Sequence, residues 1–222
     1  MTESTDDKKK RVKEIIKRLE KEYPDARVLL DYSSPLELLV ATILAAQCTD
    51  ARVNQNTPAI FKQFKTAKDY ADAPLPVLEK FFKPCGFFRN KSKAVKACCQ
   101  ALVENHGGSV PDHPEALYSL PGVGRKTANV ALGNAFGRPA VIVDTHVLRV
   151  SGRLGLASEK NVKQKYADKI EQELMEITPE KQWTHLSHLL SFHGRRICVA
   201  AKPKCPICPV NDLCPYPNKT KA

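Results

Sequence analysis

Lys126 stands two residues after the run Leu120-Pro121-Gly122-Val123-Gly124. In that run proline fixes one backbone angle, and the two glycines allow positive φ and the close approach of another surface. The amides after Gly122 then open a helix. There, free N–H groups and the positive end of the helix dipole suit a phosphate. The same spacing also describes an ordinary corner between two helices of a bundle. Arg125, Lys126 and Thr127, next in line, favour the anion site. Lys126 reads either as a phosphate contact or as an amine nucleophile, because a helix N-terminus disfavours the ammonium and so favours the free amine. Asp144 follows 18 residues on. It can be the N-cap of a helix holding Thr145, His146 and Val147. It can equally be a carboxylate that steadies a cationic sugar and moves protons for a neighbouring amine. The residues alone leave that choice open.

A second constellation lies near the C-terminus. Cys198, Cys205, Cys208 and Cys214 are spaced C-x6-C-x2-C-x5-C, with Pro203, Pro206, Pro209 and Pro215 interleaved. This is a tight, non-helical ligand loop. Zinc sites usually pair two short-spaced units, and only one pair here is short. An iron–sulfur cube fits as well or better, with zinc as the alternative. His185, His188 and His193 lie just upstream and read as helix residues, since four thiolates complete a coordination set. Cys48, Cys98 and Cys99 sit among Ala, Val and Leu in helical patterns and read as small buried hydrophobes. The first residues carry no apolar stretch of a secretory leader, so a reducing compartment is expected and a disulfide framework is not.

Charge points to a partner. The 222 residues carry a formal net charge of +11. Residues 181–222 hold seven Lys and Arg against Asp212 alone. Such an excess fits a basic surface or a polyanion, most often nucleic acid. At 42% hydrophobic residues the chain can pack a core, and no apolar run approaches the length of a membrane span.

The elements that must position these residues are helical. Val12, Ile15, Ile16 and Leu19 fall on one face of a helix ending near Pro24. Ser34-Pro35-Leu36-Glu37 has the form of a capping box with proline at the first helical position. It opens an apolar, central helix reaching about Gln47. Asp50 is expected to cap the next, to about Phe64, and short helices follow near Lys68 and over Leu75–Phe82. A helix over 90–105 is stopped by Gly107-Gly108, and a short one over 113–119 precedes the glycine turn. Then come a helix to about 134, one capped by Asp144 through Arg153, one capped by Asn161 to Glu176, and one opened by Thr178-Pro179 to Arg196. The strand-like run Ala140-Val141-Ile142-Val143 has no partner and is expected to be a buried connector. The fold class is all-α.

Leu120 to Ala128, then Val143-Asp144-Thr145-His146-Val147-Leu148-Arg149, then the cysteine loop, together resemble the endonuclease III family, the DNA glycosylases and AP lyases of the helix-hairpin-helix superfamily. Ser33 to Leu39, Gln47 and His193-Gly194-Arg195 match as well, so the resemblance covers nearly the whole chain. The turn alone is shared with many DNA-binding proteins. Turn, lysine, aspartate and cysteine loop in this order are specific.

The resemblance implies a bifunctional enzyme of base excision repair. An oxidised pyrimidine is flipped out of the duplex. Lys126 attacks C1′, and the resulting Schiff base permits β-elimination, with Asp144 as the carboxylate partner. It implies DNA contacts from Leu120, Gly122, Val123, Gly124, Thr127 and His146. Gln47 would fill the gap left by the flipped base. Phe87 would be the opposite-strand wedge, at a position where the family pattern carries Leu. A [4Fe–4S] cluster on Cys198, Cys205, Cys208 and Cys214 is implied too. The architecture implied is two helical domains with a DNA cleft between them. Residues 28–138 form a six-helix barrel domain with the helix-hairpin-helix, and 1–27 plus 139–222 form the cluster domain. The implied partner is double-stranded DNA containing oxidised pyrimidines or abasic sites, met by a monomer with no membrane association in a prokaryotic cytoplasm, at the nucleoid. Two other readings stay open. An adenine-mismatch-type monofunctional glycosylase shares the hairpin, the aspartate and the cluster, but lacks the lysine. A non-enzymatic helix-hairpin-helix DNA-binding module would leave Lys126 as a phosphate contact.

Overall fold

The structure is a computed structural model that describes residues 3–221. Among these residues the chain forms twelve α-helices, one more than the sequence outlines, and no strand, as the sequence predicts. In chain order they are α1 (Thr5–Glu22), α2 (Pro35–Leu44), α3 (Asp50–Gln63), α4 (Ala67–Asp72), α5 (Leu75–Phe82), α6 (Phe88–His106), α7 (Pro114–Ser119), α8 (Arg125–Ala135), α9 (Thr145–Arg153), α10 (Glu159–Lys163), α11 (Ala167–Ile177) and α12 (Trp183–Arg196). None is long and apolar enough to cross a membrane. The chain divides into two compact units, one over Val28–Arg138 and one made of the chain up to Arg27 and from Pro139 onward.

The first unit is built around α2, whose residues from Leu38 to Leu44 are all buried, against α3, α6 and α8. Ser34 Oγ accepts from the Glu37 amide at 3.2 Å. The Glu37 carboxylate reaches one residue past the expected box, to the amide and hydroxyl of Ser33 at 2.6 and 2.7 Å. Thr49, not Asp50, caps α3. The unit holds seven helices, where the resemblance implies a six-helix barrel; the additional one is the short helix that the sequence places near Lys68. Thr66 and Asp69 close a full capping box that sets off the six-residue α4 as an element of its own. Gly107 and Gly108 end α6 as expected, the Gly108 amide donating to the Leu102 carbonyl at 2.9 Å.

In the second unit the first helix packs with the last. Val12, Ile15, Ile16 and Leu19 of α1 share one core with Val147 and Val150 of α9, Ile170 and Leu174 of α11, and Leu186, Leu189 and Leu190 of α12. The strand-like run is a connector with Ala140, Val141 and Ile142 buried. Its amides need partners inside the protein, and α12 supplies hydroxyls where a neighbouring strand would have supplied carbonyls. Thr184 Oγ1 accepts from the Ala140 amide at 3.1 Å, and Ser187 Oγ from the Ile142 amide at 2.9 Å.

The single helix expected from Asn161 to Glu176 is two. Ser158 caps α10, and Lys165 at φ 56° breaks the chain before α11. Asn161 lies inside α10, and its side-chain amide donates to Glu173 at 2.9 Å. Thr178-Pro179 leads into a short 3-10 turn, Glu180–Gln182, before α12 begins.

Candidate active site

The glycine turn joins α7 to α8 and is anchored from below. Leu120 and Val123 bury their side chains. Their amides donate within the corner, Leu120 to the Leu117 carbonyl and Val123 to the Leu120 carbonyl. Of the eight expected DNA-contact residues, these two turn their side chains inward and hold the turn in shape. Gly122 has φ 75°, and a Cβ added there would stand 2.8 Å from Ala94 Cβ. Gly122→Ala meets both the left-handed penalty of about 1–2 kcal/mol and a clash with α6. The expected result is a loss of at least that much unfolding free energy in a denaturant titration. Unchanged stability would mean that the turn can relax without its glycine.

Gly124 is the N-cap of α8, and no side chain caps that helix. The first amides of a helix have no partner within it, so the start of α8 offers donors and positive potential to an anion. Lys126 is the second residue of α8 and is exposed; Thr127, next to it, is half-buried.

Thr127 and Gly122 line a groove of about 270 Å³ together with Gln47, Phe87, Asn90 and Lys91. Four of the sequence-predicted contact residues thus meet in one place within the first unit. Gln47 and Phe87 both hold left-handed backbones, at φ 53° and 47°. Such strain in a non-glycine residue costs about 1–2 kcal/mol and concentrates at functional sites. Phe87 is 61% exposed.

One groove residue escaped the sequence reading. Lys91, 5% exposed, donates from Nζ to the Leu44 carbonyl at 2.7 Å and the Cys85 carbonyl at 2.8 Å. Burial pushes its ammonium below the usual lysine range, against the pull of the Cys48 and Cys85 sulfurs. It pins the end of α2, three residues before Gln47, to the turn that leads into Phe87. The available signal was a lysine on the otherwise uncharged buried face of α6, with Ser92, Val95, Cys98, Cys99 and Leu102.

Asp144 lies in the second unit and does cap α9. Its Oδ1 accepts from the amides of His146 at 2.8 Å and Val147 at 2.7 Å. Its Oδ2 accepts from Ser191 Oγ at 2.9 Å. His146, half-buried beside it, approaches Arg149 through Nδ1 at 3.2 Å. Burial, reinforced by the Arg195 and Arg149 guanidiniums, holds its imidazole below the usual histidine range against the opposing pull of Asp144. Gly194 lets α12 approach this helix, since a Cβ there would meet His146 Cβ at 2.9 Å.

In the same unit Cys198, Cys205, Cys208 and Cys214 line one pocket with Arg153, His193 and Tyr216. Arg153 Nη1 lies 3.4 Å from Cys198 Sγ and donates to the Val199 carbonyl at 2.7 Å. His193 is buried, pushed down to about 4 by that burial and so neutral. Its Nδ1 pairs with the Tyr23 hydroxyl at 2.9 Å, and its Nε2 faces Cys208 Sγ at 3.5 Å. Among the described residues no group of three or more His, Cys, Asp or Glu is arranged to hold a single metal ion. Cys98 and Cys99 are buried as expected, but Cys48 is only partly so, with its thiol beside that of Cys85.

Residues 40–180 match the family described as HhH-GPD superfamily base excision DNA repair protein. A relative named Endonuclease III from Synechocystis sp. is 47% identical over 209 residues, spanning 94% of this chain and 93% of that one. Another of that name from Haemophilus influenzae is 42% identical, covering 96% of this chain and 99% of its own. Among solved structures, a trapped Endonuclease III–DNA covalent intermediate, the estranged-adenine complex, superposes with a TM-score of 0.87 at 41% identity, covering 94% of this chain and 96% of that one.

Proposed function

The chain belongs to the HhH-GPD superfamily of base excision DNA repair proteins and, within it, to the endonuclease III family, and from that membership and the geometry of its sites we propose that it is a bifunctional DNA glycosylase and AP lyase acting on double-stranded DNA with oxidised pyrimidines or abasic sites. The observation that carries this reading is an exposed lysine at the second position of a helix that no side chain caps, directly after a tight glycine turn. Amides there can hold a DNA phosphate while the lysine amine reaches the adjacent sugar.

The chemistry follows from the residues. The damaged nucleotide leaves the stack. Lys126 Nζ, as the free amine, attacks C1′, and the bond from C1′ to the base breaks. The sugar ring opens to a Schiff base between C1′ and Nζ. Loss of a proton from C2′ then expels the 3′ phosphate, and hydrolysis of the imine frees the lysine. Asp144 offsets the cationic character that develops at the sugar and relays protons for the amine. Gln47 fills the space the flipped base leaves, and the Phe87 ring stacks as a wedge on the opposite strand. Gly122, Gly124 and Thr127 line the phosphate side of the turn, and His146 meets the backbone. Leu120 and Val123 contribute by fixing the turn from inside.

Cys198, Cys205, Cys208 and Cys214 would hold a [4Fe–4S] cluster. Four thiols around one pocket fit a polynuclear centre, whose ligands stand further apart than those of a single zinc ion. When bound, the cluster supplies a cross-link that orders a loop with little regular structure of its own, and Lys202 and Lys204 on that loop lie against DNA phosphates. The purified protein is expected to be brown and to contain iron and acid-labile sulfide. Cys205→Ser should lose both and unfold at lower temperature. Stoichiometric zinc in colourless wild type would overturn the cluster. The protein acts as a monomer at the nucleoid of a prokaryotic cytoplasm.

The test is strand cleavage by the purified protein on a panel of duplexes bearing oxidised pyrimidines, an abasic site, an adenine mismatch or no damage. Cleavage of the first two with borohydride-trapped covalent adducts is expected. Release of mismatched adenine without cleavage, or binding with no cleavage at all, would replace this reading by one of the two alternatives.

A further inference from the structure

Cys48 and Cys85 take no part in the chemistry above, yet they sit beside the two residues proposed to enter DNA. Cys48 directly follows Gln47, and Cys85 precedes Phe87 by two residues. Their thiols are neighbours, and both line a cavity with Arg52, Lys83 and Phe87. The contact does not depend on the thiols alone. Lys91 Nζ bridges the Leu44 and Cys85 carbonyls, so the two segments are held together from beneath. We propose that Cys48 and Cys85 form a reversible disulfide when the protein meets hydrogen peroxide, and that this bond disables lesion processing by locking the segments of Gln47 and Phe87 to each other.

Access divides the labour. Cys48 is partly exposed and Cys85 is buried. Burial and the neighbouring Cys48 push the Cys85 thiol up, only partly offset by the Lys91 ammonium. Cys48 therefore meets the oxidant first and Cys85 resolves it. The Cys48 thiolate attacks one peroxide oxygen; the O–O bond breaks, leaving a sulfenic acid and, once protonated, water. The Cys85 sulfur then attacks the Cys48 sulfur, and the S–O bond breaks. The hydroxyl departs as a second water with the Cys85 proton. Two thiols lose two electrons, and one peroxide becomes two waters. A reducing cytoplasm returns the pair to thiols, so the bond marks oxidative load rather than a permanent staple. The adjacent pair Cys98 and Cys99 is a contrast. Both are buried, with thiols raised by burial, Cys98 to about 12, and neither is open to peroxide.

The functional half of this proposal rests on the reading of Gln47 and Phe87 as DNA-entering residues; the covalent half does not. Holoprotein of wild type, Cys48→Ala and Cys85→Ala would be exposed to stoichiometric peroxide, quenched with catalase and mapped by peptide mass spectrometry without reductant. Lesion cleavage and visible absorbance would be read on the same samples. A cross-link joining the Cys48 and Cys85 peptides is expected in wild type only. Cleavage should fall about tenfold or more, as small displacements near reacting groups do, return with dithiothreitol, and stay unchanged in Cys48→Ala. Wild type without the cross-link overturns the disulfide. A cross-link with unchanged cleavage overturns the switch. Equal loss in Cys48→Ala, together with bleached absorbance, places the damage at the cysteine loop and overturns it too. If instead untreated wild type fails to cleave any lesion, the proposed enzyme function has failed, a result separate from all of these.

Discussion

Lys126→Ala protein will bind a lesion duplex and leave it whole: no adduct will form with borohydride, and strand cleavage will fall by at least about a thousandfold, as when an enzyme loses its nucleophile. The Lys126 side chain is exposed, so its removal opens no cavity in the core of α8, which is built by Ala128, Asn129, Val130, Ala131 and Leu132. Folding stability should hardly change. Affinity should drop only as for one lost phosphate neighbour, with the salt dependence shallower by about one ion. Lys126→Arg makes the test decisive. Arginine keeps the positive charge and can still hold a phosphate, but its guanidinium stays protonated and cannot attack C1′. If Lys126 only positions DNA, the arginine variant keeps cleaving. If it is the nucleophile, arginine is as inactive as alanine. Residual trapping in either variant, at more than a trace, would assign the Schiff base to another amine.

How much of this was readable in the amino-acid chain depends on the range of the forces involved. The caps and stops were legible where a signal and its target lie within six residues, as with Ser34 on α2, Asp144 on α9 and the glycine pair after α6. The glycine turn with Lys126 exposed behind it, and the gathering of four cysteines at one pocket, were legible because their signals lie close together along the chain. The break between α10 and α11 was not, because Asn161 has a longer-range partner in Glu173 and Ser158 takes the capping role. Lys91 was invisible for a related reason. Its two acceptors are backbone carbonyls 47 and 6 residues away, and carbonyls carry no sequence identity. The neighbouring thiols of Cys48 and Cys85 likewise appear only once α2 and the turn before α6 are brought together. The inward turn of Leu120 and Val123 shows the opposite limit: a motif identified the right segment, but only packing showed which of its residues face out.

Asp144→Asn is the second substitution with a large expected effect, and the cap geometry makes it informative. In wild type one carboxylate oxygen accepts two amides at the start of α9, and the other accepts from Ser191 Oγ. Asparagine keeps an oxygen for the amides and is as good an N-cap as aspartate. Its amide nitrogen can face Ser191, whose hydroxyl rotates to accept instead of donate. The folded state should therefore lose only a few tenths of a kcal/mol, with some of that from the lost charge at the positive end of the helix. What asparagine cannot do is neutralise a cationic sugar or carry a proton. Turnover on a lesion duplex should fall by about 10²–10⁴, the range for loss of a proton-transferring group, while DNA affinity stays nearly level. Asp144→Ala separates the roles from the other side, because it removes the cap as well, at about 1 kcal/mol. A carboxylate that acts only as a cap predicts the reverse order: normal turnover per folded molecule in the asparagine variant, and a clear loss of stability in the alanine variant alone. Measuring single-turnover rate and melting temperature on the same two proteins distinguishes these outcomes, and normal single-turnover cleavage by Asp144→Asn would remove Asp144 from the chemistry.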